Sequence, residues 1–154
     1  MTPAAGEAVW QPANHRSEAW PFCACRRRYC DCRAERMNPD TAERFAQEWI
    51  AAWNSHDLER ILSLYADGIR LTSPIAARLT GSAEIRGKAA LRRYFAQGLA
   101  CYPDLHFRLL GVFPGCRSLV LHYANQAGTL AAEYMVLDRR LRVVRMVAHY
   151  RNRE

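Results

Sequence analysis

The sequence predicts an α+β domain in which helices pack on one face of a curved antiparallel sheet and enclose a conical cavity. Two observations support this prediction. Helical patterns fill the first part of the folded region, and four strand-like runs separated by turn residues fill the rest. Strands joined by short connections pair antiparallel, and helices segregated to one face of such a sheet make an α+β domain. The length of 154 residues suits one domain with a substantial core.

The first helix is predicted to begin after Asn38. Pro39 is tolerated in a first helical turn, and Asp40 followed by Glu43 has the spacing of a capping box. The apolar face carries an aromatic stripe at intervals of four residues, formed by Phe45, Trp49 and Trp53. The helical pattern ends at residues 54–56.

A second, shorter helix is predicted after Asp57, whose side chain can cap the first turn. The inward face of this helix is formed by Leu58, Ile61, Leu62 and Tyr65. Asp67 and Gly68 then predict a turn, and residues 69–72 predict a short strand that ends before Pro74. Residues 75–86 predict a loop with one short strand, and residues 88–101 predict a third helix.

Four strands are predicted at residues 105–112, 118–125, 129–137 and 141–150. Turns are predicted between them at residues 113–115, near Gly128 and at residues 138–140. The sequence pattern does not fix the register of the two middle strands.

Residues 1–36 show neither helical nor strand periodicity, so we expect a disordered N-terminal extension followed by a domain at residues 37–154. The extension contains four closely spaced cysteines: Cys23, Cys25, Cys30 and Cys32. Three interpretations stay open for them: no function in an upstream extension, a metal or redox site, or disulfides. Four thiolates can bind zinc, although the C-x-C spacing is tighter than usual, and disulfides do not persist in a reducing cytoplasm.

The formal net charge is +7, and no apolar run approaches the length of about 20 residues that a membrane helix needs. The N-terminus also lacks the apolar region of a signal peptide, so we expect a cytoplasmic protein without a membrane partner. Arginines cluster at residues 139–145, which fits either a solvated turn or a surface for an acidic partner. They are not interleaved with aromatic residues, so we expect no nucleic-acid partner.

Glu133 is the most informative residue, because it interrupts an otherwise apolar strand. A carboxylate among apolar neighbours must be paired, have a shifted pKa, or face a cavity that uses it. Strand alternation places Glu133 on the same face as Met135 and Leu137. Two interpretations follow: an acid/base group in a cavity, or one partner of a salt bridge.

His122 is the candidate partner of Glu133. If Val120 faces the cavity, His122 does too, and it can form a hydrogen bond to Glu133 across neighbouring strands. A histidine–carboxylate pair in an apolar cavity is a suitable acid/base unit. The alternative is a histidine with a purely structural role in the sheet.

Several stretches together resemble one known family. They are WIAAWNSHDL at residues 49–58, LYADG at 64–68, TSP at 72–74, IRGKAAL at 85–91, YPD at 102–104 and VAHY at 147–150. Over residues 38–150 the chain resembles the nuclear transport factor 2-like superfamily, in its SnoaL-like polyketide cyclase and ketosteroid isomerase branch. The resemblance implies a cystatin-like α+β barrel. It also implies a homodimer through the sheet face, where we expect an apolar patch formed by Leu119, Leu121, Tyr123, Tyr134 and Val136.

The resemblance carries over only in part. Ketosteroid isomerases have a catalytic carboxylate at the position that Ser73 occupies in this chain, and a tyrosine at the position of Trp49. Because neither residue is present here, the resemblance implies that the isomerase proton shuttle is missing. The second catalytic acid of the isomerases corresponds in position to Glu133. The SnoaL-like cyclases have their catalytic carboxylate at the same position. The residues expected to line a ligand pocket are Trp49, Trp53, Tyr65, Ser73, Tyr94, Met135, Met146 and Tyr150.

The predicted function is to bind a hydrophobic or aromatic small molecule, with Glu133 and His122 as catalytic residues of an isomerase, cyclase or dehydratase. The sequence has no nucleotide-binding loop, histidine pair at helical spacing or nucleophile elbow, so we expect such chemistry to need no cofactor. The alternative is a non-catalytic ligand-binding or protein-association domain of the same fold.

Overall fold

The computed structural model describes residues 36–151. The predicted N-terminal extension therefore lies outside the described residues apart from Arg36, and so do Cys23, Cys25, Cys30 and Cys32. Of the helices between residues 36 and 151, none combines the length and apolar character needed to cross a bilayer. The predicted cytoplasmic location stays a prediction.

Within residues 36–151, four helices precede most of the sheet: α1 (Pro39–Asn54), α2 (Leu58–Ser63), α3 (Pro74–Thr80) and α4 (Lys88–Cys101). The cap of α1 is Asn38, whose Oδ1 accepts a hydrogen bond from the backbone N–H of Asp40 at 2.8 Å. The predicted capping box on Asp40 is therefore wrong, because that residue already lies inside the helix. Asp57 caps α2 as predicted and accepts from the N–H of Glu59 at 2.9 Å.

Helix α3 lies where a loop was predicted. The Ser73 hydroxyl accepts a hydrogen bond from the N–H of Ile75 at 3.1 Å, Pro74 occupies the first turn, and Gly81 ends the helix with φ of 78°. A left-handed residue at a helix end is normally glycine, because a Cβ is disfavoured there. The helix is too short to show a periodic pattern, although both of its end signals are present in the sequence.

In the described part of the chain the sheet has six strands: β1 (Tyr65–Thr72), β2 (Glu84–Arg86), β3 (Phe107–Pro114), β4 (Ser118–Asn125), β5 (Leu130–Leu137) and β6 (Val143–Arg151). Their order across the sheet is β2-β1-β6-β5-β4-β3. All neighbouring strands are antiparallel except β1 and β6, which are parallel. The predicted α+β class and the antiparallel arrangement of the last four strands are confirmed.

Strand β1 begins earlier than predicted. Tyr65 is its first residue rather than part of α2, and the predicted turn at Asp67 and Gly68 is an irregularity within the strand, where the pairing with β6 shifts register. Tyr65 is consequently directed into the core, where its side chain is fully buried.

The inner face of the sheet packs against α1 and carries alternate residues of each strand. On β4 these are Leu119, Leu121 and Tyr123, all of them buried. The prediction that these three residues form part of an outer apolar patch is therefore wrong; Tyr134 and Val136 do lie on the outer face. The error arose because both faces of β4 are apolar in sequence.

Candidate functional site

A cavity of about 560 Å³ lies between the inner face of the sheet and helices α1, α3 and α4. Its wall is largely apolar and aromatic, which is typical of a site for a small organic molecule. Six of the residues predicted as pocket residues contribute to this wall: Trp49, Trp53, Ser73, Tyr94, Met146 and Tyr150.

Glu133 lies in the wall of this cavity, with only 2% of its surface exposed to solvent. Its direct neighbours across the sheet are Leu121 on β4 and Ala148 on β6. Ala148 and Ala131, the preceding inward-facing residue of β5, also line the cavity. Because both are small, they leave open space beside the carboxyl group.

The two oxygens of the Glu133 carboxyl group differ. The hydroxyl of Tyr123 donates a hydrogen bond to Oε1 at 2.7 Å. Oε2 is buried and has no hydrogen-bond partner within residues 36–151. Burying a carboxyl oxygen without a hydrogen bond costs free energy. Oε2 is therefore the atom of this group that is suited to contact a ligand.

Burial raises the pKa of Glu133 from 4.5 to about 7, and the hydrogen bond from Tyr123 opposes this rise. Desolvation disfavours the charged form of a carboxylate, whereas a donor to that form favours it. Tyr123 is itself buried, and its pKa is raised by burial first and then by the neighbouring carboxylate. Tyr123 thus remains a protonated donor near neutral pH, while Glu133 can take up or release a proton.

The predicted pairing of His122 with Glu133 is wrong. His122 lies opposite Ala132, on the outer face of the sheet, and does not line the cavity. Since neighbouring residues of a strand point to opposite faces, the inward direction of Tyr123 requires His122 to point outward. Tyr123 occupies the role of hydrogen-bond partner that was predicted for His122.

An aromatic cluster forms the wall contributed by α1. The Trp49 ring stacks on Phe107 with ring centres 5.7 Å apart and an angle of 10° between the planes. The Trp49 indole N–H donates to the Tyr65 hydroxyl at 2.9 Å, and that hydroxyl in turn donates to the Met146 sulfur at 3.7 Å. These contacts fix the ring positions on one side of the cavity.

Tyr65 and Met135 were predicted to line the pocket but do not. Both are fully buried behind the wall: Tyr65 contacts Trp49, and Met135 pairs with Met146 across β5 and β6. Both residues therefore support wall residues instead of facing the open space.

A second polar group of the wall contains Ser73, Tyr94 and Tyr150. The Ser73 and Tyr94 hydroxyl oxygens lie 3.5 Å apart, and Ser73 also caps α3. Burial raises the pKa of Tyr94 and of Tyr150, and the Glu133 carboxylate adds to the effect in both. These phenols stay neutral near pH 7 and can donate hydrogen bonds to a ligand.

Residues 36–151 contain no group of three or more His, Cys, Asp or Glu side chains placed to bind a metal ion. Among the site residues that sequence analysis missed are Tyr123 and Arg78. Tyr123 was assigned to the wrong face of β4, and Arg78 lay in the segment predicted as a loop. The end signals of α3, Ser73 and Gly81, could have identified the helix that places Arg78 in the cavity wall.

The family model described as a SnoaL-like domain matches residues 46–154. No curated protein sequence gives a significant match. Among solved structures, a SnoaL-like protein of unknown function from Burkholderia thailandensis is similar, with 38% identity and a TM-score of 0.74. The match covers 77% of this chain and 100% of the Burkholderia chain.

Two more distant structures share the fold. The epoxide hydrolase/cyclase-like enzyme SalBIII has 15% identity and a TM-score of 0.60, over 74% of this chain and 93% of the enzyme. A protein of unknown function with a cystatin-like fold from Methylobium petroleophilum has 12% identity and a TM-score of 0.61, over 77% of this chain and 81% of the other. The match to residues 46–154 and the Burkholderia relative show that this chain belongs to the SnoaL-like family of the nuclear transport factor 2-like superfamily.

Proposed function

We propose that the cavity binds an apolar or aromatic small molecule and that Glu133 transfers a proton on it without a cofactor. The observation that supports this most directly is the Glu133 carboxyl group in the cavity wall, with Oε2 unpartnered and a pKa raised to about 7. A general acid or base works best when its pKa lies near the operating pH. Such a group suits isomerase, cyclase or dehydratase chemistry.

The proposed reaction starts from a carbon acid next to a carbonyl group. The ionised Glu133 removes the proton from that carbon, and the electron pair moves onto the carbonyl oxygen to form an enolate. The protonated Glu133 then returns the proton to the same carbon or to a conjugated one. Hydroxyl donors such as Tyr94 and Tyr150 are suited to stabilise the enolate oxygen, because hydrogen bonds strengthen as negative charge develops.

One protein with the same fold is an enzyme. SalBIII is an epoxide hydrolase/cyclase-like enzyme with a role in pyran ring formation in the polyether salinomycin. At 15% identity the likeness shows a shared fold, and the proposed chemistry of this chain rests on its own residues.

We expect the protein to catalyse deuterium incorporation next to the carbonyl group of small aryl ketones or cyclic enones in D₂O. The rate should rise with pH through about 7, because the carboxylate form of Glu133 is the base. Glu133→Gln should abolish the reaction. NMR measures deuterium incorporation, and it also detects isomerisation when the proton returns without exchange with solvent.

Tyr123→Phe is the matched control for that measurement. It keeps the ring but removes the hydrogen bond that lowers the pKa of Glu133, so the rise in rate should move to higher pH. A Glu133→Gln variant as active as the wild type would contradict the proposed acid/base role.

The second candidate function is ligand binding without catalysis. It is favoured by Ser73, which stands where the related isomerases place their base and whose hydroxyl is already used to cap α3. This alternative would be supported if the aryl ketones and cyclic enones bind but none of them shows deuterium exchange or isomerisation.

The outer face of the sheet is suited to association with a second copy of the chain. A row of apolar side chains crosses four strands at matching register positions: Phe113 pairs with Val120, Val120 with Tyr134, and Tyr134 with Val147. Phe113 is 61% and Tyr134 38% exposed in the single chain. An isologous dimer would remove this row from water, since each copy presents the same apolar surface.

We therefore expect a homodimer in solution, and we expect Tyr134→Arg to convert it to a monomer by placing a charge in the apolar row. Light scattering coupled to size-exclusion chromatography measures both states. Tyr102→Arg is the matched control, because Tyr102 is similarly exposed but lies beyond the end of α4. A wild-type monomer, or a Tyr134→Arg dimer, would contradict an interface on this face.

A further inference from the structure

Of the residues from 36 to 151 that line the cavity, two are charged and of opposite sign, Glu133 and Arg78. Glu133 is fully buried, whereas Arg78 is exposed and therefore lies where the cavity opens to solvent. Arg78 belongs to α3 and shares a helix face with Ile75 and Leu79, which also line the cavity. The opening thus presents one cation beside apolar side chains.

Arg78 has no ion pair or hydrogen bond with any residue from 36 to 151, unlike several other exposed arginines. Arg60 pairs with Glu48, Arg86 with Glu84, and Arg92 with Glu59. In the part of the chain that the structure describes, no carboxylate neutralises the guanidinium at the cavity opening. Its hydrogen-bond donors are available to a ligand.

Within residues 36–151, the cavity wall also contains two amide side chains, and the oxygen of each already accepts hydrogen bonds from backbone N–H groups. Asn125 Oδ1 accepts from the backbone N–H of Ala127 at 3.0 Å and of Thr129 at 2.9 Å. Gln126 Oε1 accepts from the N–H of His106 at 3.3 Å. Their remaining donors are neutral, whereas Arg78 is positively charged, and guanidinium groups bind carboxylates through two parallel hydrogen bonds.

We propose that Arg78 binds a carboxylate of the ligand, so that the ligands of this cavity are apolar or aromatic carboxylic acids held with the anionic end at the opening. This inference rests on the proposed function, because it requires the cavity to be the ligand site. It adds the chemical class of the ligand and the direction in which the ligand lies.

The charge distribution supports this orientation. A ligand carboxylate placed at the buried end would repel the ionised form of Glu133, which is the form that the proposed reaction needs, because like charges in a buried site repel each other strongly. The opposite orientation pairs the ligand anion with Arg78 and leaves its apolar part among the aromatic rings. Burial raises the pKa of Tyr94 and of Tyr150, and the positive charge of Arg78 opposes part of this rise in both, so the charge of Arg78 acts on the polar part of the wall. The net charge of +7 favours the approach of anions in general.

The test compares two probes of the same shape, naphthylacetate and the neutral naphthylacetamide, by calorimetric titration of the full chain. We expect the wild type to bind the acid about tenfold more tightly than the amide, as a charge-assisted hydrogen-bonded pair allows. Arg78→Ala should weaken binding of the acid to the level of the amide and leave the amide unchanged. Arg93→Ala is the matched control: Arg93 is an exposed arginine of α4 outside the cavity wall, and this variant should keep the preference.

The possible negative results distinguish an error in the role of Arg78 from an error in the proposed function. Equal affinity of the wild type for acid and amide, or a preference for the acid that survives Arg78→Ala, would overturn the role of Arg78 and leave ligand binding in the cavity intact. Ala148→Leu, which fills space beside Glu133, should weaken both probes. If neither probe binds the wild type, or if both bind the Ala148→Leu variant as well as the wild type, the proposed function fails and the role of Arg78 fails with it.

Discussion

Replacing Trp49 by alanine is expected to destabilise the domain by about 3 to 5 kcal/mol, the usual cost of removing a large buried aromatic side chain. Trp49 is 1% exposed and contacts the rings of Trp53, Phe107 and Tyr123. The substitution removes these contacts and also the hydrogen bond to the Tyr65 hydroxyl. Urea denaturation followed by circular dichroism, at one fixed protein concentration, measures the free energy of unfolding.

Two variants separate the contributions of Trp49. Trp49→Phe keeps an aromatic ring in the cluster but removes the indole N–H, so we expect a smaller loss of about 1 to 2 kcal/mol. Tyr102→Ala removes an aromatic side chain that is 42% exposed and should change the free energy of unfolding by less than about 1 kcal/mol. A Trp49→Ala variant as stable as Tyr102→Ala would contradict the central position of Trp49 in the core.

The parts of the fold that could be predicted from sequence are those with a repeating local pattern. Helix α1 was visible through its aromatic stripe, and β4 was predicted with the bounds that the structure has, Ser118–Asn125. The parallel pairing of β1 with β6 left no such mark, because it joins segments distant in the chain. The interruption of β1 at Asp67 and Gly68 was mistaken for a turn for a related reason: these residues favour turns locally, and tertiary pairing overrides that preference.

The candidate site was predictable in its most unusual residue but not in the partner of that residue. Glu133 could be identified because a carboxylate in an apolar strand has few stable environments. The choice between His122 and Tyr123 depended on which face of β4 is buried, and the alternation of β4 does not decide it: Leu119 and Leu121 mark one face as apolar, and Val120 marks the other. Assigning the wrong face of β4 to the core therefore selected His122 in place of Tyr123 as the partner of Glu133.

The buried position of Glu133 also predicts how stability depends on pH. Because the pKa is raised from 4.5 to about 7 in the folded chain, the protonated form is the one that folding favours. The contribution of protonated Glu133 to stability is complete below its pKa in the unfolded chain. This contribution is lost as the pH rises to its pKa in the folded chain. A difference of this size corresponds to about 3 kcal/mol, and most of the loss falls between about pH 4.5 and 7.

Glu133→Gln should remove this dependence, since glutamine has a similar shape and stays neutral. We expect the variant to become more stable than the wild type as the pH rises from 4.5 to 8, with the difference in free energy of unfolding changing by about 3 kcal/mol across that range. Urea denaturation at several pH values measures the difference. Glu84→Gln, at an exposed carboxylate paired with Arg86, should show no such trend in favour of the variant, because the pKa of Glu84 is lowered rather than raised. If the difference between the wild type and Glu133→Gln stays constant with pH, the Glu133 carboxyl group is not desolvated in the folded chain, and its suitability as an acid/base group near neutral pH is lost as well.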